Sequence, residues 1–121
     1  MTSRRRLLAL GWTLAIVVAL SIPGESLPDV PVLGFDKLVH VTIFAVFGWL
    51  WMDALDAPLR ARTWGVLAAG LLFAALSEVY QGALIPGRIG DVYDVAANAL
   101  GLVAAVLVFR LHRSRRKTPV S

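Results

Sequence analysis

The sequence contains no cysteine, and it has few charges for a chain of 121 residues. The absence of cysteine excludes disulfide bonds, thiolate metal ligands and thiol catalysis. Only 17% of the residues are charged, whereas 58% are hydrophobic and the mean hydropathy is +0.72. A soluble domain of this size has a more polar composition. The composition therefore predicts an integral membrane protein, and the short chain predicts a single domain.

Four apolar stretches divide the chain, at about residues 7–22, 38–55, 63–85 and 92–111. Each is near the length that crosses a hydrocarbon core of about 30 Å. We therefore predict an all-α, four-helix transmembrane bundle between a basic N-terminus, residues 1–6, and a basic tail, residues 112–121. The tail lacks apolar periodicity and is expected to be disordered. The first stretch lacks an evident signal-peptide cleavage site, which favours an uncleaved anchor.

The basic residues set the expected orientation of this bundle. Residues 4–6, Arg60, Arg62 and the segment 110–117 fall on one side of a four-span chain. Because positive residues concentrate in cytoplasmic loops, both termini are predicted to be cytoplasmic, and residues 23–35 and 86–90 to face the opposite side. The basic clusters fit membrane lipids as partners. They lack interleaved aromatic residues, so nucleic acid is not an expected partner.

Polar residues gather at the same end of three predicted helices, although an ionisable group at membrane depth costs about 2.5–3.5 kcal/mol. They are Asp36, Lys37 and His40 on the second helix, Glu78 and Gln81 on the third, and Asp91, Asp94 and Asn98 on the fourth. Within each helix these residues are mostly three or four apart, which places them on one face. At a rise of about 1.5 Å per residue, Glu78 and Asn98 reach a similar depth. We therefore predict one outward-facing polar pocket.

Small residues continue two of these faces. They are Gly70, Ala74 and Ser77 on the third helix, and Gly101 and Ala105 on the fourth. Because small residues let membrane helices approach closely, we predict that the third and fourth helices touch along this seam.

Three groups of residues resemble the VanZ-like family of small bacterial membrane proteins. They are Asp36-Lys37-Leu38-Val39-His40, then Ser77-Glu78 with Gln81, then Gly87-Arg88 with Asp91, Asp94, Asn98 and Gly101. The likeness runs over residues 36–101. It implies a multi-pass protein of the bacterial cytoplasmic membrane, and the family's named member is associated with low-level resistance to the glycopeptide teicoplanin. Neither the residues nor the resemblance identifies a cofactor.

Each polar residue has a structural and a functional interpretation. Asp36 and Asp91 can be helix N-caps, Lys37 and Arg88 can extend to lipid headgroups, and Gln81 and Asn98 can join helices by hydrogen bonds. Their functional interpretation is a substrate-binding set. Glu78 and Asp94 are not explained by capping. With His40 they are the candidate catalytic residues, since neighbouring carboxylate and imidazole groups can transfer protons near neutral pH.

Three classes of function remain open. The first is an enzyme or binding site for a lipid-linked envelope precursor or a lipid headgroup, with an effect on glycopeptide susceptibility. In one variant His40, Glu78 and one or both of Asp91 and Asp94 hold a divalent metal ion. The second is a non-catalytic interaction module whose polar cluster locks the bundle. The third is a proton-coupled transporter. The cytoplasmic half of the predicted bundle offers no polar path for protons, which argues against this class.

Overall fold

The computed structural model describes residues 2–23, 35–87 and 91–117, and these residues form four α-helices. Helix α1 spans Thr2–Leu20, α2 spans Phe35–Ala54, α3 spans Leu59–Leu84 and α4 spans Val92–Lys117. Successive helices run in opposite directions, so α2 and α4 are parallel and begin at the same end of the bundle. The described part of the chain contains no strand. The prediction of an all-α, four-helix chain is confirmed.

Three of the helices are long and apolar enough to cross a membrane, with spans at Lys37–Ala54, Leu59–Leu84 and Val92–Arg115. Large apolar side chains cover their outer faces, and Leu76 and Val92, for example, are 55% and 73% exposed. Such a continuous apolar surface is unfavourable in water and fits a lipid environment. Helix α1 carries three arginines near its start, and its crossing of the membrane stays a prediction.

The most extensive helix packing in the described part of the chain joins α2 to α4. A Cβ atom at Gly101 of α4 would overlap the backbone carbonyl of Val41 on α2. At Gly48 of α2, an added Cβ would lie 3.2 Å from the Cβ of Ala105 on α4. The prediction that Gly101 and Ala105 form a seam with α3 is therefore wrong. Periodicity identified the small face of α4 correctly, but it carries no information about which helix approaches that face.

Helices α3 and α4 do touch, through a different residue of α4. Leu102 is fully buried, and a Cβ at Gly70 of α3 would lie 2.6 Å from its Cδ2 atom. A Cβ at Gly48 of α2 would lie 3.2 Å from its Cδ1 atom. The two glycines thus leave the space that this large side chain fills, and this packing holds α4 against α2 and α3.

Helix α4 continues six residues beyond the apolar stretch, to Lys117, instead of ending near Leu111 as predicted. Arginine and lysine are good helix formers, and positive charge is favourable at the C-terminal end of a helix. The ring of His112 also packs against Trp49 of α2, with the two centroids 5.8 Å apart. A helix therefore occupies residues 112–117, where a disordered tail was expected, and residues 118–121 lie outside the described residues.

An aromatic layer crosses the middle of the bundle. It consists of Phe44 and Phe47 of α2 and Phe73 of α3, whose ring centroids are 5.4–5.7 Å apart. Such tilted pairs add about 0.5–1.5 kcal/mol each to the gain from burial. The layer separates the end of the bundle that carries the predicted polar pocket from the end that carries most of the basic residues.

Candidate functional site

The start of α2, the last turns of α3 and the start of α4 meet at one end of the bundle, here called the polar end. Its described network consists of Lys37, His40, Glu78, Asp91, Asp94 and Asn98. These are six of the nine predicted site residues. Gln81 is buried nearby, but its amide nitrogen lies 3.5 Å from the carbonyl oxygen of Leu20 in α1. Arg88 and the side chain of Asp36 lie outside the described residues.

Lys37 joins α2 to α4 through two carboxylates. Its Nζ donates to Oδ2 of Asp91 over 2.9 Å and to Oδ1 of Asp94 over 2.5 Å. The side chains of Lys37 and Asp91 are 37% and 36% exposed, whereas that of Asp94 is only 10% exposed. The lysine therefore connects the rim of the polar end with a carboxylate in its interior.

His40 makes the second link between α2 and α4. Its Nδ1 atom lies 2.7 Å from Oδ1 of Asn98, a residue that is 1% exposed. Because an amide oxygen only accepts hydrogen bonds, Nδ1 is the donor, and in the neutral ring Nε2 then keeps its lone pair. Nε2 lies 3.5 Å from Oδ2 of Asp94. Asp94 is thus held between the lysine and the imidazole.

Glu78 brings α3 into the network. Its Oε2 accepts a hydrogen bond of 3.1 Å from the backbone N–H of Asp91, which ties the end of α3 to the start of α4. The residue is 5% exposed, and its Oε1 is buried without a hydrogen-bond partner among the described residues. Nδ2 of Asn98 is also buried without a hydrogen-bond partner among the described residues. Buried polar atoms without partners are rare because each one costs free energy, so both atoms require an explanation.

Asp91 combines the two interpretations that the sequence left open. Its Oδ1 accepts from the backbone N–H of Tyr93 over 2.8 Å, as an N-cap does, while Oδ2 bonds to Lys37. The hydrogen bond from Lys37, and secondly that from the Tyr93 amide, hold the pKa of Asp91 below its ordinary value of 3.8. Asp91 is therefore a carboxylate at neutral pH, and it is one of two negative partners of the same lysine.

Three side chains of the polar end place metal-ligand atoms close together. One atom each from His40, Glu78 and Asp94 lies within 4.8 Å of the others. One imidazole and two carboxylates can bind a divalent ion of borderline hardness. Asp91 was also predicted as a possible metal ligand, but its carboxylate bonds to Lys37 and to the Tyr93 amide instead.

A groove of about 570 Å³ runs along the outside of the bundle between α3 and α4. Glu78 and Asp91 line it, and its remaining walls are small or apolar: Ala75, Val79, Gly82, Ala83, Val92 and Val95. Val79 is 65% exposed, so the groove opens to the surroundings of the bundle and not to its core. It connects the apolar exterior with the buried carboxylate.

Two further polar residues near this end were not predicted. The hydroxyl groups of Ser21 and Tyr80 lie 2.6 Å apart and join the end of α1 to α3. The feature that could have identified Tyr80 is its position next to Gln81, near the end of a membrane helix, where tyrosine is common. Ser21 carried no comparable signal, because it follows the apolar stretch of α1 as any loop serine would.

Comparison with known proteins gives the family. A model of the family described as VanZ/LLP1 matches residues 3–113, which include every described residue of the polar end. The chain belongs to the VanZ/LLP1 family. This confirms the resemblance drawn from residues 36–101, and together with the three apolar helices it identifies a membrane protein.

The chain is also similar to an uncharacterized protein of Schizosaccharomyces pombe, with 28% identity over 106 residues. The alignment covers 85% of this chain and 65% of that protein, so the chain spans less than two thirds of its relative. The relative is fungal, and family membership alone therefore does not identify a bacterial source. No solved structure matches the chain.

Proposed function

We propose that this VanZ-like chain binds or acts on a lipid-anchored component of the cell envelope, whose headgroup lies at the polar end. The observation that carries the proposal is the unpartnered Oε1 of Glu78, a residue whose carboxylate has an oxygen within 4.8 Å of ligand atoms of His40 and Asp94. Most buried carboxylate oxygens have a hydrogen-bond partner, because an unsatisfied buried oxygen is costly. An oxygen that is oriented but unsatisfied is available to a ligand.

The groove between α3 and α4 supports a ligand that is itself a lipid. Its apolar walls can hold an acyl or isoprenoid chain, and Glu78 and Asp91 line it. Lys37, which is 37% exposed at the rim, can donate to an anionic headgroup. We place the polar end on the non-cytoplasmic side of a bacterial cytoplasmic membrane, because Arg60, Arg62 and the basic segments of both termini belong to the opposite end.

If the bound component is also converted, Glu78, Asp94 and His40 are the groups able to move a proton. His40 is oriented by Asn98, and Asp94 faces its second nitrogen. A proton shared between Nε2 of His40 and the Asp94 carboxylate would let the pair act as acid or base. The described part of the polar end offers no activated nucleophile, so the proposal assigns proton transfer and positioning but no covalent step.

A second candidate function is an interaction module whose network only locks the bundle. The bonds from Lys37 to Asp91 and Asp94 and from His40 to Asn98 favour it, since all of them join α2 to α4. Hydrogen bonds of this kind contribute about 0.6 kcal/mol on average between membrane helices. This interpretation explains the links of α2 with α4, but it leaves the free oxygen of Glu78 without a role.

The test compares cells that express the wild type, Glu78→Gln or the control Asp53→Asn, at equal amounts of folded protein in the membrane. Asp53 is a carboxylate at the opposite end of α2. We expect the wild type and the control to change susceptibility to teicoplanin and related envelope antibiotics, and Glu78→Gln to lose that change. An equal effect of all three proteins would make Glu78 structural and favour the interaction module. No effect of any of them would contradict the envelope role.

A further inference from the structure

We propose that the polar end holds a divalent transition-metal ion, Mn²⁺ or Zn²⁺, bound by His40, Glu78 and Asp94. The inference deepens the proposed function and rests on it for the ligand, since a metal ion with open coordination positions is a receptor for an anionic headgroup. The metal site itself is argued from the geometry of the three side chains and is tested without any lipid.

The distances allow one ion to reach all three groups. The ligand atoms of His40, Glu78 and Asp94 lie within 4.8 Å of one another and come from three different helices. Zinc bonds to nitrogen and carboxylate oxygen are about 2.0–2.2 Å long, which separates neighbouring ligands by about 3–4 Å. The ligand atoms therefore have to approach one another by up to about 1–2 Å to bind a single ion.

The state of Glu78 is the second and independent observation. The backbone N–H of Asp91 fixes Oε2, and this orients the carboxylate. Oε1 is buried and has no hydrogen-bond partner among the described residues, in a side chain that is 5% exposed. An oxygen that ligates a metal ion lacks a hydrogen-bond donor when the ion is absent, because its lone pairs are directed at the position of the ion.

The charge of the network points the same way. Lys37 bonds to the carboxylates of Asp91, at the rim, and Asp94, whereas the buried Glu78 accepts from the backbone N–H of Asp91. Buried negative charge without compensation is strongly unfavourable. A divalent cation between Glu78 and Asp94 compensates the excess and satisfies the free oxygen at the same time.

The groups around the three ligands have the arrangement that positions ligands in metal sites. A ligating histidine usually donates its other ring N–H to a carbonyl or carboxylate oxygen, which fixes the tautomer. Nδ1 of His40 bonds to Oδ1 of Asn98, and this presents Nε2 on the side of Asp94. Lys37 holds Oδ1 of Asp94, so the two carboxylate oxygens of Asp94 have separate partners. Asn98 and Lys37 are therefore positioning residues.

The ligand set also indicates the class of ion and what it receives. Imidazole suits zinc and related ions, while carboxylates suit manganese and magnesium, so a set with one imidazole and two carboxylates fits Zn²⁺ or Mn²⁺. Three protein ligands leave at least one coordination position open. Glu78 lines the groove between α3 and α4, so the phosphate or carboxylate oxygen of a lipid headgroup in the groove can take that position.

The experiment uses the purified full chain in detergent, stripped with a chelator and titrated calorimetrically with ZnCl₂ and with MnCl₂. We expect about one ion per chain in the wild type. Loss of a ligand costs at least the 10–100-fold in affinity that is typical of positioning residues, so Glu78→Gln and His40→Gln should weaken binding by about 100-fold or more. The control Asp53→Asn, which removes a carboxylate paired with Arg5, should bind as the wild type does.

A structural readout accompanies the titration. In ¹⁵N spectra of the imidazoles, metal should shift Nε2 of His40 and leave the exposed His112 unchanged. The variant Asn98→Ala keeps all three ligands but should weaken metal binding by about 10-fold and mix the tautomers of His40. Helix content by circular dichroism shows whether Glu78→Gln folds, and His40→Gln tests the site independently if it does not.

Two outcomes would overturn the metal site: a wild type that binds neither ion, or binding that both ligand variants retain. The failures of the two proposals are distinguishable. A chain without metal binding whose effect on susceptibility still depends on Glu78 contradicts the ion and keeps the envelope role. A chain that binds metal but has no effect on susceptibility contradicts the envelope role and keeps the ion.

Discussion

The two ends of the helix bundle carry their charges in opposite ways. At the polar end, Glu78 and Asp94 lie inside the bundle and are 5% and 7% exposed. At the basic end, formed by the start of α1, the α2–α3 connection and the end of α4, Arg5 pairs with Asp53 over 3.6 Å and the side chains are 53% and 39% exposed. Exposed pairs of this kind contribute about 0–1 kcal/mol, whereas a buried charge requires compensation. Burial therefore distinguishes the carboxylates of the polar end from the Arg5–Asp53 pair of the basic end.

Arg62 shows that burial alone is not sufficient evidence for a site. It belongs to the basic end and is 8% exposed, and its Nε has no hydrogen-bond partner among the described residues. Its Nη1 donates to the carbonyl oxygen of Met52 over 2.8 Å, and its guanidinium lies 5.9 Å from the ring centroid of Phe109. These partners are structural. What distinguishes Glu78 is the convergence of His40 and Asp94 on the same point.

The largest expected effect on the free energy of unfolding comes from the close contact between α2 and α4 beside the polar end. In Gly101→Ala the new Cβ overlaps the carbonyl of Val41, so α2 and α4 must move apart at this point. The point lies about one helical turn from the contact of His40 with Asn98. We expect a destabilisation of about 3 kcal/mol in unfolding measurements in detergent. Gly65→Ala is the matched control, because a Cβ there meets nothing within 4 Å. It should be neutral or stabilise α3 by up to about 1 kcal/mol. Equal stability of the two variants would contradict this account.

The next effect compares one carboxylate at each end. Asp94→Asn weakens the contacts with Lys37 and His40 and should cost about 1.5–3 kcal/mol, the range for hydrogen bonds between charged groups. Asp53→Asn removes an exposed partner of Arg5 and should cost less than about 1 kcal/mol. Both free energies of unfolding are to be measured in the presence of a chelator, which excludes any contribution from a bound metal ion. A larger destabilisation by Asp53→Asn than by Asp94→Asn would contradict the view that the buried carboxylate contributes more to stability.

A smaller effect is expected at the buried arginine of the basic end. Arg62→Lys keeps the charge but loses the planar group that bonds to Met52 and lies near Phe109. We expect a loss of about 1 kcal/mol, the value of one hydrogen bond. Arg60→Lys, at an exposed position two residues earlier, should leave the unfolding free energy unchanged. If both substitutions are neutral, the buried position of Arg62 contributes nothing to stability.

The smallest effect concerns acid pH. Lys37 holds the pKa of Asp91 below 3.8, so their bond stabilises the fold above that pH, and this contribution is lost as the pH falls through the lowered pKa. In Lys37→Gln the pKa of Asp91 should rise towards 3.8, as followed by the carboxyl ¹³C shift of Asp91 during a pH titration. Arg60→Lys serves as the control and should titrate as the wild type does. An unchanged titration in Lys37→Gln would show that the lysine does not bond to Asp91 in solution.

Much of the fold follows from local patterns. The four apolar stretches predicted four helices, and the spacing of Asp91, Asp94 and Asn98 predicted that their side chains share a face. The structure places these residues opposite Lys37 and His40. Their roles in binding or catalysis stay predictions, because proximity shows which groups can cooperate and not what they act on.

Other features could not be predicted, because they depend on neighbours that are distant in sequence. Gly101 was assigned to a contact with α3, but it packs on Val41 of α2. Arg62 was assigned to a loop, but Met52 and Phe109 enclose it. A helical repeat identifies the face of a residue, and the identity of the helix that covers the face is set only when the whole bundle packs.

The sequence by itself determined that this chain is helical, belongs in a membrane and has polar residues at one end of three helices. These properties are local, because each apolar segment satisfies its own backbone hydrogen bonds as a helix and partitions into lipid by its own hydropathy. Only the tertiary structure decided which helices approach closely, and that Glu78 keeps one oxygen without a partner beside His40 and Asp94. Those outcomes depend on interhelical distances of a few ångströms, which arise from close packing of all four helices together.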